Sequence, residues 1–243
     1  MKLSTPILFL FLVCSLPKTD AQNQHFWDGI EAFDGPTDKN PVLAAQLDFY
    51  FDKMVAPLPD SITLEINRLI DRTESNTDLR DFILWHLLEK YRHPEYMSQD
   101  QVFVWLYDQY FSQLEIKDLS EVNLSLIRDK AERLRRLALF STAPNFTLND
   151  AIDLQSVASE YTVLFFFDHE CDVCRQERQD LDSVCEQHPE IKVIAVDMNT
   201  SDEQVDVLFD LYDIETTPLI YVLDRNKRII AKKIQARQIP LIL

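Results

Sequence analysis

The spacing of apolar residues changes once along the chain, near residue 141. Before this point apolar residues recur every three or four positions, which is typical of amphipathic helices. After it, short continuous apolar runs alternate with helical stretches, which is typical of buried strands in an α/β fold. The pattern therefore predicts an all-α domain over residues 41–141, followed by an α/β domain over residues 142–243.

Five helices are predicted in the first domain from apolar stripes and from residue types that favour helix ends. The expected N-caps are Asn40, Asp60, Thr77 and Ser98, the last in a capping box with Gln101, and the fifth helix runs from about residue 122 to residue 140. His86 is predicted to be a partly buried structural histidine, and His93 to end the third helix.

The second domain is predicted to follow the order β-α-β-α-β-β. The apolar run 162–167 is the expected central strand, and a helix from Cys171 to His188 follows it. The remaining elements are a strand over 191–196, a helix over 201–212 and strands over 219–223 and 228–234. Asn226 is expected to adopt the left-handed conformation in the turn between the last two strands.

Composition and charge argue against two classes of ligand. The formal net charge of −17 argues against nucleic acid and against an anionic membrane surface, because both are polyanionic. Only two glycines occur, Gly29 and Gly35, so the chain cannot form a Gly-rich phosphate loop. No nucleotide is therefore expected.

The N-terminus has the form of an export signal. A basic residue precedes the apolar run 7–16, and Thr19 and Ala21 stand where a signal peptidase requires small residues. The run is too short to span a bilayer as a mature helix. A signal peptide over residues 1–21 is therefore predicted, followed by an arm over residues 22–40. The expected location is the periplasm or cell envelope.

Cys14 lies inside this signal, where lipid attachment has to be considered. The residues before it are Phe11, Leu12 and Val13, whereas a lipoprotein signal has a small residue directly before the cysteine. Lipid anchoring at Cys14 is therefore not expected.

Cys171 and Cys174 follow the predicted central strand and open a helix. Two thiols at positions i and i+3 lie one helical turn apart, so they can form a disulfide without strain. The helix N-terminus also stabilises a thiolate. A Cys-x-x-Cys near a βαβ pattern predicts a thioredoxin-like redox pair, whose own disulfide would serve in place of a cofactor.

Other roles for these cysteines were considered. An inert disulfide remains an alternative. A zinc site would need two more ligands, and covalent haem attachment would need histidine where Arg175 stands, so neither is expected. Cys185 is predicted to be a buried core thiol.

Acidic residues surround the redox pair in the sequence. Asp168, Glu170 and Asp172 are expected to oppose the helix dipole and to raise the pKa of Cys171, which would favour a reductant. His169 would offset this effect when protonated, or else serve only as an exposed spacer.

Three motifs in the second domain resemble one family. Ala143-Pro-Asn-Phe-Thr-Leu-Asn-Asp, Cys171-Asp-Val-Cys174-Arg-Gln-Glu and Thr216-Thr217-Pro218 are similar to segments of the TlpA-like thioredoxin-fold disulfide oxidoreductases. The resemblance implies that Cys171 attacks, that Cys174 resolves, that Pro218 is a cis-proline facing them, and that the Thr217 backbone pairs with substrate. It also implies disulfide-containing envelope proteins as substrates and a membrane electron donor.

The chain departs from this family at three positions. Phe165 stands where a buried acid often lies behind the cysteines, which leaves proton delivery to Cys174 without its usual group. Glu170 replaces an aromatic residue before the first cysteine, and Gln179 replaces a proline in the helix.

The helical half resembles a domain of unknown role that precedes thioredoxin-like domains in exported bacterial proteins, and this resemblance implies no activity. The hypothesis for the whole chain is an exported thiol-disulfide oxidoreductase that reduces envelope proteins. The alternative is a partner-binding or redox-sensing module, in which the thioredoxin scaffold has little turnover.

Overall fold

The computed structural model describes residues 25–28, 30, 40–73, 75–148, 152–200 and 203–243. The predicted signal peptide, Cys14 and most of the predicted arm lie outside these residues. In the described part of the arm, Trp27 is buried, and its ring centroid lies 5.0 Å from that of Tyr50. This aromatic residue packs on the helical domain, as predicted.

The first half of the chain is helical, as the apolar spacing predicts. It contains α1 (Pro41–Lys53), α2 (Pro59–Asp71), α3 (Thr77–Arg92), α4 (Asp100–Leu106), which continues as a π-helix (Tyr107–Phe111), and α5 (Glu121–Arg136). Their apolar stripes meet in one core, in which Leu47, Ile66 and Leu87 have no exposed surface. His86 binds Asp48 at 2.9 Å, which confirms its structural role.

Two predicted helix caps are wrong by one or two residues. Asp60 does not cap α2, because Pro59 starts the helix one residue earlier, where the fixed φ of proline suits the first helical position. Asn76, rather than Thr77, caps α3, since its side-chain oxygen accepts a hydrogen bond from the backbone nitrogen of Leu79 at 3.0 Å.

The fourth and fifth helices also differ from the prediction at their ends. The expected side-chain capping box of Ser98 and Gln101 is absent, and α4 begins at Asp100 with no side-chain cap. The fifth helix ends at Arg136 rather than near residue 140. There the chain turns toward the sheet, and Phe140 takes a left-handed φ of 67° while its backbone nitrogen donates to the carbonyl of Ile229.

The second half is an α/β domain built on a four-stranded sheet. Its elements are β1 (Thr147–Leu148), β2 (Ile152–Asp153), a 3-10 turn (Leu154–Ser156), β3 (Tyr161–Phe167), α6 (Asp172–Gln187), β4 (Ile191–Asp197), α7 (Glu203–Leu211), β5 (Leu219–Asp224), β6 (Ile229–Lys232) and a final 3-10 helix (Ala236–Leu241). The strand order is β4-β3-β5-β6, with β3 and β4 parallel and the other pairs antiparallel.

The central position of β3 explains its unbroken apolar sequence. Phe165 faces α6 and packs in the same cluster as Leu181, while Phe166 faces the other side and packs near Tyr212. Both phenylalanines have no exposed surface. A strand buried on both faces needs apolar residues at consecutive positions, and this strand has them.

The β5–β6 turn differs from the prediction. Lys227, not Asn226, takes the left-handed conformation, with φ of 59°. The side chain of Asp224 accepts from the backbone nitrogens of Asn226 and Arg228, which closes the turn around Lys227. Lys227 is buried and donates to the hydroxyl of Thr162 at 2.8 Å.

A buried ion pair joins the two halves of the chain. Lys232 Nζ in β6 lies 2.5 Å from Asp100 Oδ2, and both side chains are at most 1% exposed. The same ammonium donates to the carbonyl of Leu137. Burial lowers the pKa of Lys232, and the carboxylate of Asp100 opposes this effect.

Candidate redox site

The redox pair lies where β3 passes into α6. Cys171 is the N-cap of α6, and its sulfur accepts a hydrogen bond from the backbone nitrogen of Cys174 at 3.2 Å. Cys171 is half-buried, whereas Cys174 is only 1% exposed; both are free thiols in this structure. One thiol is therefore accessible and the other is enclosed beneath it.

Hydrogen bonding separates the acidities of the two thiols. Hydrogen bonds from the side chain and backbone of Cys174 lower the pKa of Cys171, although slight burial and the charge of Asp168 oppose them. Burial raises the pKa of Cys174, and its hydrogen bond to the neighbouring sulfur adds to this rise. The thiolate is thus favoured at Cys171, while Cys174 keeps its proton.

The prediction that acidic neighbours raise the pKa of Cys171 is wrong in its net direction. Asp168 does act in that sense. Asp172, however, is 90% exposed and forms an ion pair with Arg175 one turn along the helix, so its charge is screened and partly neutralised. The local hydrogen bonds from Cys174 outweigh what remains.

The other two residues predicted to tune the pair point to different partners. The ring of His169 is 53% exposed, and its Nδ1 lies 2.7 Å from Asp197 Oδ2 at the end of β4. Glu170 is exposed, and its backbone nitrogen donates to Asp168 Oδ1. That bond, together with one from Asn199, lowers the pKa of Asp168. These contacts order the turn before Cys171.

The loop before β5 faces the cysteine pair. The Thr217–Pro218 peptide bond is cis, as the family resemblance implies. The side chain of Thr217 hydrogen-bonds to Cys174 and acts to lower the pKa of that thiol. The two predicted substrate-binding residues therefore lie beside the two predicted catalytic residues, although 43 positions separate Cys174 from Thr217.

The three departures from the family pattern have clear positions in the structure. Phe165 is fully buried and stacks on Phe167, with ring centroids 5.4 Å apart, so it offers no carboxyl group behind Cys174. Glu170 and Gln179 are both exposed. Cys185, predicted to be buried, is only half-buried; burial nevertheless raises its pKa.

Two clefts flank the loop that carries Pro218. One has a volume of about 360 Å³ and lies between His93 of the helical domain, Val173 of the redox motif and Pro218. The other has a volume of about 310 Å³ and is lined by residues that include Asp168 and Thr217. Val173, which stands between the two cysteines in the sequence, thus lines the first cleft, and Asp168, which precedes them, lines the second.

The sequence analysis missed the residues that hold this loop. Lys130 of α5 is 5% exposed and binds Asp213 Oδ1 at 3.0 Å and Glu215 Oε1 at 2.6 Å. The sequence did contain a sign of this contact, because Lys130 lies on the buried stripe of α5 beside Ile127 and Ala131. A lysine on an apolar face predicts a buried anionic partner, but it does not identify that partner.

Metal and membrane features can be stated for the described residues only. Among them, no group of three or more histidine, cysteine or acidic side chains is arranged to hold a metal ion. No described helix is both long enough and apolar enough to cross a membrane.

Comparison with known proteins gives one family match. Residues 140–238 match the AhpC/TSA family, and this range contains the sheet, the cysteine pair and Pro218. The C-terminal domain is a thioredoxin-like oxidoreductase domain. No curated protein matches the chain.

Solved structures extend the likeness to the helical half. A thioredoxin-like protein from Bacteroides caccae ATCC 43185 has a TM-score of 0.71 at 16% identity, over 98% of this chain and 96% of that chain. The two-part fold thus recurs there. A domain of a possible thiol-disulfide isomerase from Cytophaga hutchinsonii ATCC 33406 is 30% identical over 43% of this chain and 89% of its own, with a TM-score of 0.36. A thiol:disulfide interchange protein from Bacteroides sp. is 20% identical over 43% of this chain and 86% of that chain, with a TM-score of 0.37.

Proposed function

We propose that this protein is an exported thiol-disulfide oxidoreductase that reduces disulfides of cell-envelope proteins through Cys171 and Cys174. The observation that carries the proposal is the geometry of the pair, in which accessible Cys171 caps α6 and accepts from the backbone nitrogen of buried Cys174, near the cis Thr217–Pro218 bond. The pKa values of the two thiols shift in opposite directions, lowered at Cys171 and raised at Cys174. An attacking thiol must be both exposed and deprotonated, and a resolving thiol must stay protonated until the mixed disulfide forms.

The reaction proceeds in two exchanges. The Cys171 thiolate attacks one sulfur of the substrate disulfide, that S–S bond breaks, and the departing substrate thiolate takes up a proton. Cys174 then loses its proton and attacks the Cys171 sulfur of the mixed disulfide, which releases the second substrate thiol. Two electrons have passed to the substrate, and the protein carries a Cys171–Cys174 disulfide.

The substrate would lie against Thr217 and Pro218, which are next to the pair. In the family that the sequence resembles, a membrane electron carrier renews the dithiol, and we propose the same class of donor here. Phe165 offers no carboxyl group to remove the proton of Cys174. Water or the departing substrate thiolate is then the acceptor.

The direction of electron flow needs its own measurement. A lowered pKa at Cys171 makes the thiolate available for attack, but it also stabilises the reduced protein. We propose the reducing direction because the negative charge of Asp168 acts to raise the pKa of Cys171, which destabilises the thiolate of the reduced protein. The reduction potential measured against glutathione decides the direction, and a strongly oxidising value would contradict a reductase.

Trapping tests the activity. Cys174→Ser should accumulate mixed disulfides between Cys171 and envelope proteins, detected as adducts that a reducing agent releases. Cys171→Ser is the matched control and should trap nothing. If the Cys174→Ser variant forms no adducts and the wild-type dithiol fails to reduce a model disulfide, the chain is not an oxidoreductase. A pair that exchanges too slowly for turnover would support the sensing module instead.

A further inference from the structure

The helical domain contacts the loop that carries Pro218 through two carboxylates, of which Glu215 is the nearer to the proline in the sequence. Glu215 Oε1 accepts from Lys130 Nζ at 2.6 Å, and Glu215 Oε2 lies 3.1 Å from His93 Nδ1. Lys130 belongs to α5 and His93 is the C-cap of α3. Both oxygens of Glu215 are therefore bound by the helical domain, three residues before the cis-proline.

A second carboxylate of the same loop strengthens this attachment. Asp213 has no exposed side-chain surface and binds Lys130 and, at 2.9 Å, Lys233. Burial alone would raise the pKa of Asp213, but the two lysines lower it overall. The carboxylate therefore stays ionised at neutral pH, and the loop is fixed to two different parts of the molecule.

His93 and Pro94 also form a wall of the 360 Å³ cleft. The lining also contains Val173 and Pro218. Val173 lies between the two cysteines and is 64% exposed. The cleft thus reaches the segment between the two cysteines, and part of its lining comes from a domain outside the AhpC/TSA match.

The charges that line the cleft indicate what can occupy it. His93 pairs with Glu215 and Lys233 pairs with Asp213. Glu177 accepts a hydrogen bond from the backbone nitrogen of Ala236. The one lysine of the described lining, Lys233, is thus already paired, so an anion would find no free lysine there. Apolar residues complete the lining, among them Leu219, Ile220 and Ile234. A neutral polypeptide segment matches such walls better than an anionic metabolite does.

We propose that the helical domain forms one side of the substrate-binding groove. The polypeptide segment next to the reacting cysteine of the substrate lies between His93–Pro94 and the Val173–Pro218 side of the cleft. This inference rests on the proposed oxidoreductase function, and it assigns the helical half a role in binding polypeptide substrates.

Peptides of different length test this groove. The probes are N-acetylcysteine amide carrying a thionitrobenzoate disulfide, and the same compound extended by four neutral residues on either its N-terminal or its C-terminal side. The second-order rate of thionitrobenzoate release is measured with the reduced full chain. We expect one of the two extensions to raise this rate about tenfold over the short probe, a gain equivalent to about 1.4 kcal/mol.

Two variants test whether the cleft causes the higher rate of the extended probe. His93→Ala removes part of the wall together with one contact to Glu215, and Pro94→Trp fills the cleft while leaving the contacts of Glu215 in place. In both, the ratio of the extended-probe rate to the short-probe rate should fall toward one. His188→Ala is the matched control, because His188 forms a similar pair with Glu190 at 3.0 Å outside the cleft, and its ratio should equal that of the wild type.

The outcomes separate the two proposals. If the short probe does not react with the wild-type dithiol, the oxidoreductase function fails. If the short probe reacts but neither extension gains, or if the gain survives in both variants, the groove proposal is wrong and the function stands.

Discussion

At the scale of single residues, the two thiols differ because one caps a helix and the other lies beneath it. The sulfur of Cys171 receives hydrogen bonds at the N-terminus of α6, and Cys174 is enclosed against Thr217. Counting charges along the sequence gave the wrong direction for the pKa of Cys171. A hydrogen bond acts at about 3 Å, whereas the exposed carboxylate of Asp172 is screened by solvent and by Arg175.

Removing the donor at position 174 should make Cys171 less acidic. Cys174→Ala loses the side-chain hydrogen bond that is the largest cause of the lowered pKa, while the backbone bonds remain. The midpoint of iodoacetamide alkylation against pH should lie below that of an ordinary thiol in the wild type, and should move upward in the variant. The alkylated Cys171 peptide, quantified by mass spectrometry, gives the rate.

Cys174→Ser is the control for this measurement, because a serine hydroxyl still donates. Its midpoint should lie closer to that of the wild type. At neutral pH the alanine variant should then alkylate several-fold more slowly than the serine variant. Equal midpoints in the two variants would show that the side-chain hydrogen bond does not lower the pKa of Cys171.

At the scale of elements, helix and strand positions follow from local sequence, but the residues at which they begin and end depend on small differences between neighbouring candidate residues. Asn40 caps α1 as predicted, since its side chain accepts from the backbone nitrogens of both Val42 and Leu43 at 3.1 Å. The predicted start of α2 was wrong because Pro59 is a better first helical residue than the position after Asp60. The π-helix at Tyr107–Phe111 has no marker in the sequence that we can identify.

The cap of α1 supports a stability prediction. Asn40→Ala leaves two backbone nitrogens without their side-chain acceptor, so the free energy of unfolding should fall by about 1 kcal/mol. Urea denaturation of the full chain, followed by circular dichroism, measures the change. Asn123→Ala provides the comparison, because Asn123 is exposed inside α5 and alanine is the better helix former there. That variant should be neutral or slightly stabilised, and a loss as large as that of Asn40→Ala would refute the capping argument.

At the scale of the whole molecule, buried charges hold the helical domain on the thioredoxin-like domain. Lys232 pairs with Asp100, while Lys130 joins Asp213 and Glu215. Buried ion pairs contribute little net stability over apolar contacts, but breaking one leaves a charge without its partner. We expect these pairs to fix the arrangement of the two domains, so that the full chain unfolds in one transition.

Asp100→Asn tests the interface. The substitution leaves the Lys232 ammonium buried without a counter-charge, so we expect a loss of about 3–5 kcal/mol in the free energy of unfolding near neutral pH. Asp182→Asn is the matched control, since Asp182 pairs with Arg178 on the surface and should cost at most about 0.5 kcal/mol. Equal effects in the two variants would contradict a structural role for the buried pair.

The loss in Asp100→Asn should depend on pH with a definite sign. Burial lowers the pKa of Lys232 in the folded state, so the unfolded chain binds more protons at this site. Stability therefore rises with pH between the folded pKa and the unfolded value of about 10.4. Without Asp100 the folded pKa should fall further, and the difference from the wild type should shrink as pH increases. A difference that grows with pH would contradict this explanation.

The sequence by itself determined the features that depend on neighbouring residues. The period of apolar residues specified helices before residue 141 and buried strands after it. The cysteine spacing after a buried strand specified two neighbouring thiols at a helix start. Such patterns are readable because each residue interacts mainly with others within one helical turn or one strand.

Only the tertiary structure decided which distant residues meet. It brings Thr217 against Cys174. It also brings Glu215 into contact with Lys130, which lies 85 positions earlier in the sequence, and with His93, which lies 122 positions earlier. These contacts form when the whole chain is compact, and no local pattern marks their partners. The packing of the two halves therefore places His93 and Pro94 of the helical domain in one cleft with Val173 and Pro218.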